Sequence, residues 1–429
     1  MARLSSAPGV LTVDARGAMA ATRAHPPRAG TPTATGAVRG RSFASFFSSF
    51  SPTYLHRFLA WSPSGADDWR RFPSRLVSRS DRPSPYPQAH QSLDRDGAVP
   101  REVTCSRDGR PGTTPLDPLL AETGTTAFLV LRDGELLRES YLAGRTRSSM
   151  ARLFSVSKTV VATLAGVALA DGRLGALDDP FVRYLPELAG RGYDGITLRH
   201  LLLMAGGFRF TYGRRPWRDS PKLYWHPDLR RVLLAGPPLV SGPGERFAYG
   251  SYPTALLGLV LERVAGTTLA GELERRLWRP LGAEYDASWS IDHAGDGLEY
   301  AASGLNARPI DLAKLGSLFL DRGRWNGAQL LTAAFADEAV APPEPELPGH
   351  SDQERRDGVF YKFGWWGHRL AGGGAAFYAE GHRGQLLYVR PDRRLVIVRV
   401  GTGEGWLQGR WPALLRDLSE RIPPRGGVG

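Results

Sequence analysis

Ser155 and Lys158 stand three residues apart in Leu153-Phe154-Ser155-Val156-Ser157-Lys158-Thr159-Val160, at the head of an apolar run with helical spacing (Val160, Val161, Leu164, Val167, Ala168). If Ser155 opens a helix, Lys158 lies one turn on and on the same face, so hydroxyl and amine can meet. A serine hydroxyl is a weak nucleophile until a neighbouring base takes its proton. A lysine is that base only where burial or a nearby positive charge lowers its pKa. Ser-x-x-Lys is also the ordinary spacing of an N-cap serine followed by a solvated first-turn lysine. What draws notice here is scarcity. Of 55 basic residues only Lys158, Lys222, Lys314 and Lys362 are lysine, and arginine, which stays charged in proteins, cannot stand in for a catalytic amine.

Two further groups add to this pair. Tyr249-Gly250-Ser251 follows 91 residues after Lys158. A tyrosine beside a lysine ammonium is expected to have a lowered pKa and to shuttle protons; alone, it reads equally as a buried helix-cap tyrosine. His382-Arg383-Gly384-Gln385 stands at a strand start. A glycine-flanked strand edge lets substrate approach closely and offers a backbone N–H to an oxyanion; alone, it reads as a hairpin turn.

In this order the three motifs resemble the serine β-lactamase and penicillin-binding-protein superfamily, whose nucleophile lies in Ser-x-x-Lys. The likeness extends to Ile196-Thr-Leu-Arg-His-Leu-Leu, Pro243-Gly-Glu-Arg-Phe-Ala-Tyr and Ser303-Gly-Leu-Asn-Ala-Arg-Pro-Ile-Asp-Leu-Ala-Lys-Leu, which look like the class C branch. Within it the chain is most similar to 6-aminohexanoate-dimer hydrolases and related esterases, over about residues 113–421. The resemblance implies Ser155 as acylated nucleophile, Lys158 as general base and Tyr249 as proton shuttle. It implies the N–H groups of Ser155 and Gln385 as the oxyanion hole, each worth about 3–4 kcal/mol of transition-state stabilisation. Ser251, His382 and Gly384 would line the substrate site. Ser251 takes the place of the class C asparagine, and His382 that of a lysine that holds the β-lactam carboxylate, which turns the expected substrate away from β-lactams. Trp365, Trp366 and Tyr378 are candidate walls of an acyl pocket, or core.

The implied function is cofactor-free, metal-free hydrolysis of a small ester or amide through an acyl-enzyme. A D,D-peptidase or weak β-lactamase is the alternative within the class, and an inactive ligand-binding relative the alternative outside it. Gly-x-Ser-x-Gly, His-Glu-x-x-His and a phosphate-loop Gly-Lys pair are all absent from the sequence.

The elements that must position these residues read as an α/β (α+β) chain. Residues 125–132 and 135–142 form a hairpin about Asp133-Gly134. Helices cover 155–170, 196–204, 253–264, 269–277 and 309–320. Strands 375–380, 385–390 and 395–400 make an antiparallel meander, and a helix over 407–421 closes the chain. Hairpin and meander are expected to share one sheet, with a mostly helical lobe at about 181–295. Residues 1–60 read as a disordered basic leader, within which 46–60 can form a short amphipathic segment, 61–112 as an extended segment packed on the core, and 113–429 as the hydrolase domain.

The net charge of +12 invites a nucleic-acid reading, but residues 1–60 hold seven arginines and one aspartate, half of that charge. No nucleic-acid partner is expected. One cysteine, Cys105, excludes an intramolecular disulfide. No run of 18 apolar residues marks a membrane span. A cytoplasmic location is the expectation, with the Arg- and Ser-rich, acid-poor N-terminus reading alternatively as a targeting segment or a mis-assigned start.

Overall fold

The structure is a computed structural model that describes residues 51–61, 64–88, 98–107 and 110–423. Its centre is a seven-stranded antiparallel sheet, in spatial order Val359–Lys362, Trp365–Arg369, Ala375–Gly381, Gln385–Arg390, Leu395–Gly401, Thr125–Arg132 and Glu135–Tyr141. The N-terminal hairpin and the C-terminal meander therefore share one sheet, with Ile397 opposite Val130. Asp133 and Gly134 both have positive φ (50° and 77°), as a two-residue turn matched to strand twist requires.

Both faces of the sheet are covered, which is why Thr125–Arg132 is buried along its whole length. Leu129, Leu131, Leu387, Val389, Val396 and Val398 face helices Val156–Ala170 and Pro309–Leu320. The alternate residues Phe128, Val130, Leu386, Tyr388 and Ile397 face helices Leu116–Glu122 and Trp411–Arg421. Val156–Ala170 is apolar nearly all round and buried at 13 positions from Val156 to Ala168, the signature of a core helix. Gly166 lets it approach closely, since a Cβ there would lie 2.5–2.6 Å from Leu331 and Phe335.

The helical lobe between the two halves contains Leu198–Leu202, Asp219–Trp225, Leu229–Leu234, Tyr252–Ala265 and Leu269–Leu273. Thr197 and His200 close a reciprocal capping box, so His200 is a capping residue.

Several expectations are corrected. The meander carries two more strands, Val359–Lys362 and Trp365–Arg369, turned at Phe363 and Gly364 (φ 47° and 87°). The helix expected over 269–277 is α-helical only to Leu273 and continues as one π-helical turn, Glu274–Trp278. The last helix starts at Trp411, where Pro412 occupies the first turn. Within the leader, the short amphipathic segment allowed for at 46–60 is present as the helix Pro52–Trp61, so the leader is not disordered to residue 60; residues 1–50 lie outside the described residues.

That helix packs on the lobe: Tyr54 donates to the Pro216 carbonyl (2.5 Å), Arg57 to the Asp292 carbonyl (2.6 Å), and Phe58 meets Trp225 edge-on at 5.6 Å. Downstream, Ser74–Val77 is the outer strand of a second sheet that continues through Ala287–Ser290 and Leu305–Ala307 to Ala151–Arg152. This small sheet delivers the chain to Ser155.

Candidate active site

Ala151–Arg152 ends in a tight turn that places Ser155 at the N-cap of Val156–Ala170. Leu153 N–H donates to the Leu305 carbonyl (3.0 Å), and the Ser157 hydroxyl accepts from Leu305 N–H (3.1 Å). Between them Phe154 adopts φ 48°, a conformation that costs a residue other than glycine about 1–2 kcal/mol and is held only where the surroundings fix it. Ser155 makes no side-chain cap bond, so its hydroxyl is not spent on the helix terminus. Lys158 is 3% exposed, so it is not a solvated first-turn lysine either.

Lys158 Nζ lies 3.0 Å from Ser155 Oγ and 3.1 Å from the Ala302 carbonyl. Among the described residues no carboxylate pairs with it. The fully buried Lys314 provides the contrast, with Asp311 at 3.1 Å and Glu284 at 3.7 Å. An ammonium out of water without a counter-charge favours losing its proton, and burial lowers Lys158 to about 7.

Tyr249 precedes helix Tyr252–Ala265, and its phenol stands beside the Ser155 side chain. Lys158 Nζ sits 5.2 Å from its ring centroid. The expected lowering of the Tyr249 pKa is reversed: burial raises it well above the ordinary phenol value. The cause is the burial of the phenol, and a lysine that gives up its charge near neutrality does not offset it. Tyr249 is therefore a persistent O–H donor. Ser251 caps the same helix without a side-chain cap bond.

The strand edge meets the nucleophile turn at Gly381. A Cβ on Gly381 would lie 2.2 Å from the Leu153 carbonyl oxygen. Trp365–Arg369 pairs with Ala375–Gly381 only through Tyr378, leaving 379–382 unpaired on that side. The His382 ring meets Phe154 edge-on at 5.4 Å. The ring is exposed to solvent, and the protein crowded around it and then the Arg383 charge lower its pKa below the ordinary imidazole value. It is neutral at pH 7 and offers no cation.

Arg383 is directed elsewhere, to the carbonyls of Ser64 (2.5 Å from Nη2) and Thr402 (2.7 Å). Gln385 stands one strand over, opposite Gly381, with its side chain on the Gly401 backbone (2.7 and 3.1 Å). Gly384 backs onto Arg399, 2.5 Å from where its Cβ would be. Among the described residues neither the Ser155 nor the His382 N–H has a hydrogen-bond acceptor. The contact with the turn that precedes Ser155 is thus made by 381–382 rather than 384–385.

Trp366 stands beside the site, 5.3 Å from Tyr249 and 5.0 Å from Tyr361. Trp365 is fully buried against Phe319 and Phe377 and belongs to the core. Tyr378 stacks on Tyr388 on the opposite sheet face from the nucleophile helix.

Three neighbours escaped the sequence reading. Glu380 precedes the contact glycine; burial, then Glu404 and Glu354, raise its carboxyl to about 8, and its charge is felt at Tyr249. Arg152 is 1% exposed, its guanidinium between the rings of Tyr224 (4.6 Å), Phe72 (4.9 Å) and Phe154 (5.3 Å), an arrangement stabilised by the ring quadrupoles. Arg399 is the third. The signal for Glu380 and Arg399 was available: each is a lone charge in an otherwise apolar strand.

Comparison with known proteins agrees with this architecture. The beta-lactamase family model matches residues 116–418. The 6-aminohexanoate-dimer hydrolase of Paenarthrobacter ureafaciens is 29% identical over 361 residues, 78% of this chain and 87% of that protein. Esterase EstB of Burkholderia gladioli is 34% identical over 177 residues, 36% of this chain and 44% of EstB. The structure of a candidate 6-aminohexanoate-dimer hydrolase from Bacillus anthracis superposes with a TM-score of 0.69 at 25% identity, covering 85% of this chain and 94% of that one. With 303 of its 429 residues inside the family match, the chain belongs to the beta-lactamase family of serine hydrolases.

Proposed function

We propose that this chain hydrolyses a small ester or amide through an acyl-enzyme on Ser155. The observation that carries the reading is the 3.0 Å contact between Ser155 Oγ and a buried lysine amine without a carboxylate partner. Neutral Lys158 takes the hydroxyl proton as Oγ attacks the substrate carbonyl carbon. The N–H groups of Ser155 and His382, the latter in place of Gln385, receive the oxyanion. Tyr249 passes its proton to the departing alkoxide or amine and is re-protonated by the Lys158 ammonium, which returns both groups to their starting states. A water then attacks the acyl carbon, its proton returning through the same pair, and the acid leaves with Ser155 restored. The ester- and amide-hydrolase relatives support this class of substrate. The neutral His382 and the diverted Arg383 leave no cation at the position that would meet a β-lactam carboxylate.

The test is p-nitrophenyl ester turnover together with labelling by a fluorophosphonate, the adduct located by mass spectrometry. An adduct on Ser155, absent from Ser155→Ala along with turnover, supports the reading; turnover that persists in Ser155→Ala refutes it.

The pH dependence follows from the lysine. Only its neutral form accepts the proton, so kcat/KM is expected to rise with pH through about 7. Tyr249 adds no descending limb in the ordinary range, since it stays protonated. Glu380→Gln is expected to keep the rise at about 7 while removing any second inflection near 8. A profile flat from pH 5 to 9 would count against Lys158 as the base.

A further inference from the structure

Arg399 is a charged side chain at 0% exposure within the sheet, and among the described residues no carboxylate is bonded to it. Its five N–H groups are instead all used on neutral acceptors. Nε donates to Thr125 Oγ1 (3.0 Å), Nη1 to the carbonyls of Arg383 (2.7 Å) and Gly384 (2.9 Å), and Nη2 to those of Thr123 (2.8 Å) and Gly403 (2.6 Å). The plane rests on Trp411, 4.6 Å from the ring centroid. Gln385 completes the set: its Nε2 reaches the carbonyls of His382 (3.3 Å), Arg383 (3.4 Å) and Gly401 (2.7 Å). The carbonyls of three successive residues, 382 to 384, are thus drawn inward by two buried side chains.

We infer that Arg399, with Gln385, is a positioning device for the oxyanion-binding edge: by anchoring the 382–384 turn it sets where Gly381 and His382 stand against the turn that carries Ser155. This inference rests on the function proposed above and extends it to residues that touch no substrate. The physical need is visible in the turn itself. Arg383 has φ 67°, which a non-glycine residue adopts only when its surroundings compel it. The C=O of one residue and the N–H of the next share a trans peptide and point in opposite directions, so the held carbonyls of 382–384 fix the peptides that carry the N–H groups of 383–385 and pin the chain directly after the His382 N–H. Immediately before this pinned segment Gly381 lies against Leu153 and His382 against Phe154. A planar fork of five donors suits this cluster of acceptors; an ammonium has three donors and no plane.

The deciding variant is Arg399→Lys in the full chain. With the fold intact by circular dichroism, kcat for a p-nitrophenyl ester is expected to fall about 10- to 100-fold, as misplacement of a catalytic group by a fraction of an ångström to one ångström does. KM should stay nearly constant. Affinity for a boronic acid, whose Ser155 adduct mimics the tetrahedral oxyanion, should fall in step with kcat. A merely structural role would lower the thermal midpoint without this parallel between kcat and boronate affinity. Where Arg399→Lys does not fold, Gln385→Ala decides by the same pair of measurements. Wild-type kcat and boronate affinity in whichever folded variant is measured overturn the inference. Absence of a Ser155 adduct in the wild type would instead overturn the proposed function itself.

Discussion

Replacing Lys158 by arginine is expected to slow acylation of Ser155 by about 10²- to 10⁴-fold, the range a general base contributes. Arginine keeps a positive charge at the position but cannot surrender a proton. The loss therefore separates proton abstraction from mere electrostatic attraction, and single-turnover kinetics with an ester measures it. Lys158→Met goes further. Between about pH 7 and roughly 10.4, the ordinary lysine value, the unfolded wild type binds a proton that the folded protein does not. Wild-type stability accordingly rises with pH across this window, and the cost of a buried ammonium is fully present below it. Methionine has no such group. The difference in thermal midpoint, Lys158→Met minus wild type, should therefore favour the variant most at pH 6 and shrink by pH 9. A difference independent of pH would mean that Lys158 does not titrate differently in the two states.

Gly381→Ala is the second large effect. The added methyl would stand 2.2 Å from the Leu153 carbonyl oxygen and 3.2 Å from Gln385 Cβ. The first of these is backbone, so no side-chain rotation relieves it. Strand edge and nucleophile turn must separate by about 1 Å, which would lower kcat by up to about 100-fold and stability by about 1–3 kcal/mol. Gly372→Ala is the control, because nothing lies within 4 Å of the added carbon; its kinetics and denaturation midpoint should match the wild type. Equal effects from the two alanines would deny Gly381 its special place.

What could be read from the sequence divides by range. Ser155, Lys158 and the helix they open were legible because three-residue spacing and an apolar run are local signals. The Asp133-Gly134 turn was legible for the same reason, and with it the hairpin. Strand Val359–Lys362 and its neighbour were missed because Gly364 and Gly367 break the alternation, and the need for Gly364 lies in its positive φ and in tertiary contact with Thr159, where a Cβ would sit 2.9 Å from its Cα. The glycines about His382 show the limit most clearly. Gly381 and Gly384 both flank the turn, and sequence alone favours neither. Tertiary packing decides: Gly384 faces the Arg399 guanidinium, Gly381 the Leu153 carbonyl. The tyrosine shift had the wrong sign because it treated Lys158 as a fixed cation, and the burial that discharges the lysine is not visible in a spacing.

The family match begins at residue 116, yet Ser74–Val77 is hydrogen-bonded along Ala287–Ser290, with Leu76 opposite Ser288. An expressed fragment trimmed to the matched domain would bare that edge, a ready template for intermolecular strand pairing and aggregation. It would also discard Phe72 from beside Arg152 and the Ser64 carbonyl from beside Arg383. Poor solubility of such a fragment would reflect where the cut was made, and the useful boundary for producing this enzyme lies ahead of residue 52.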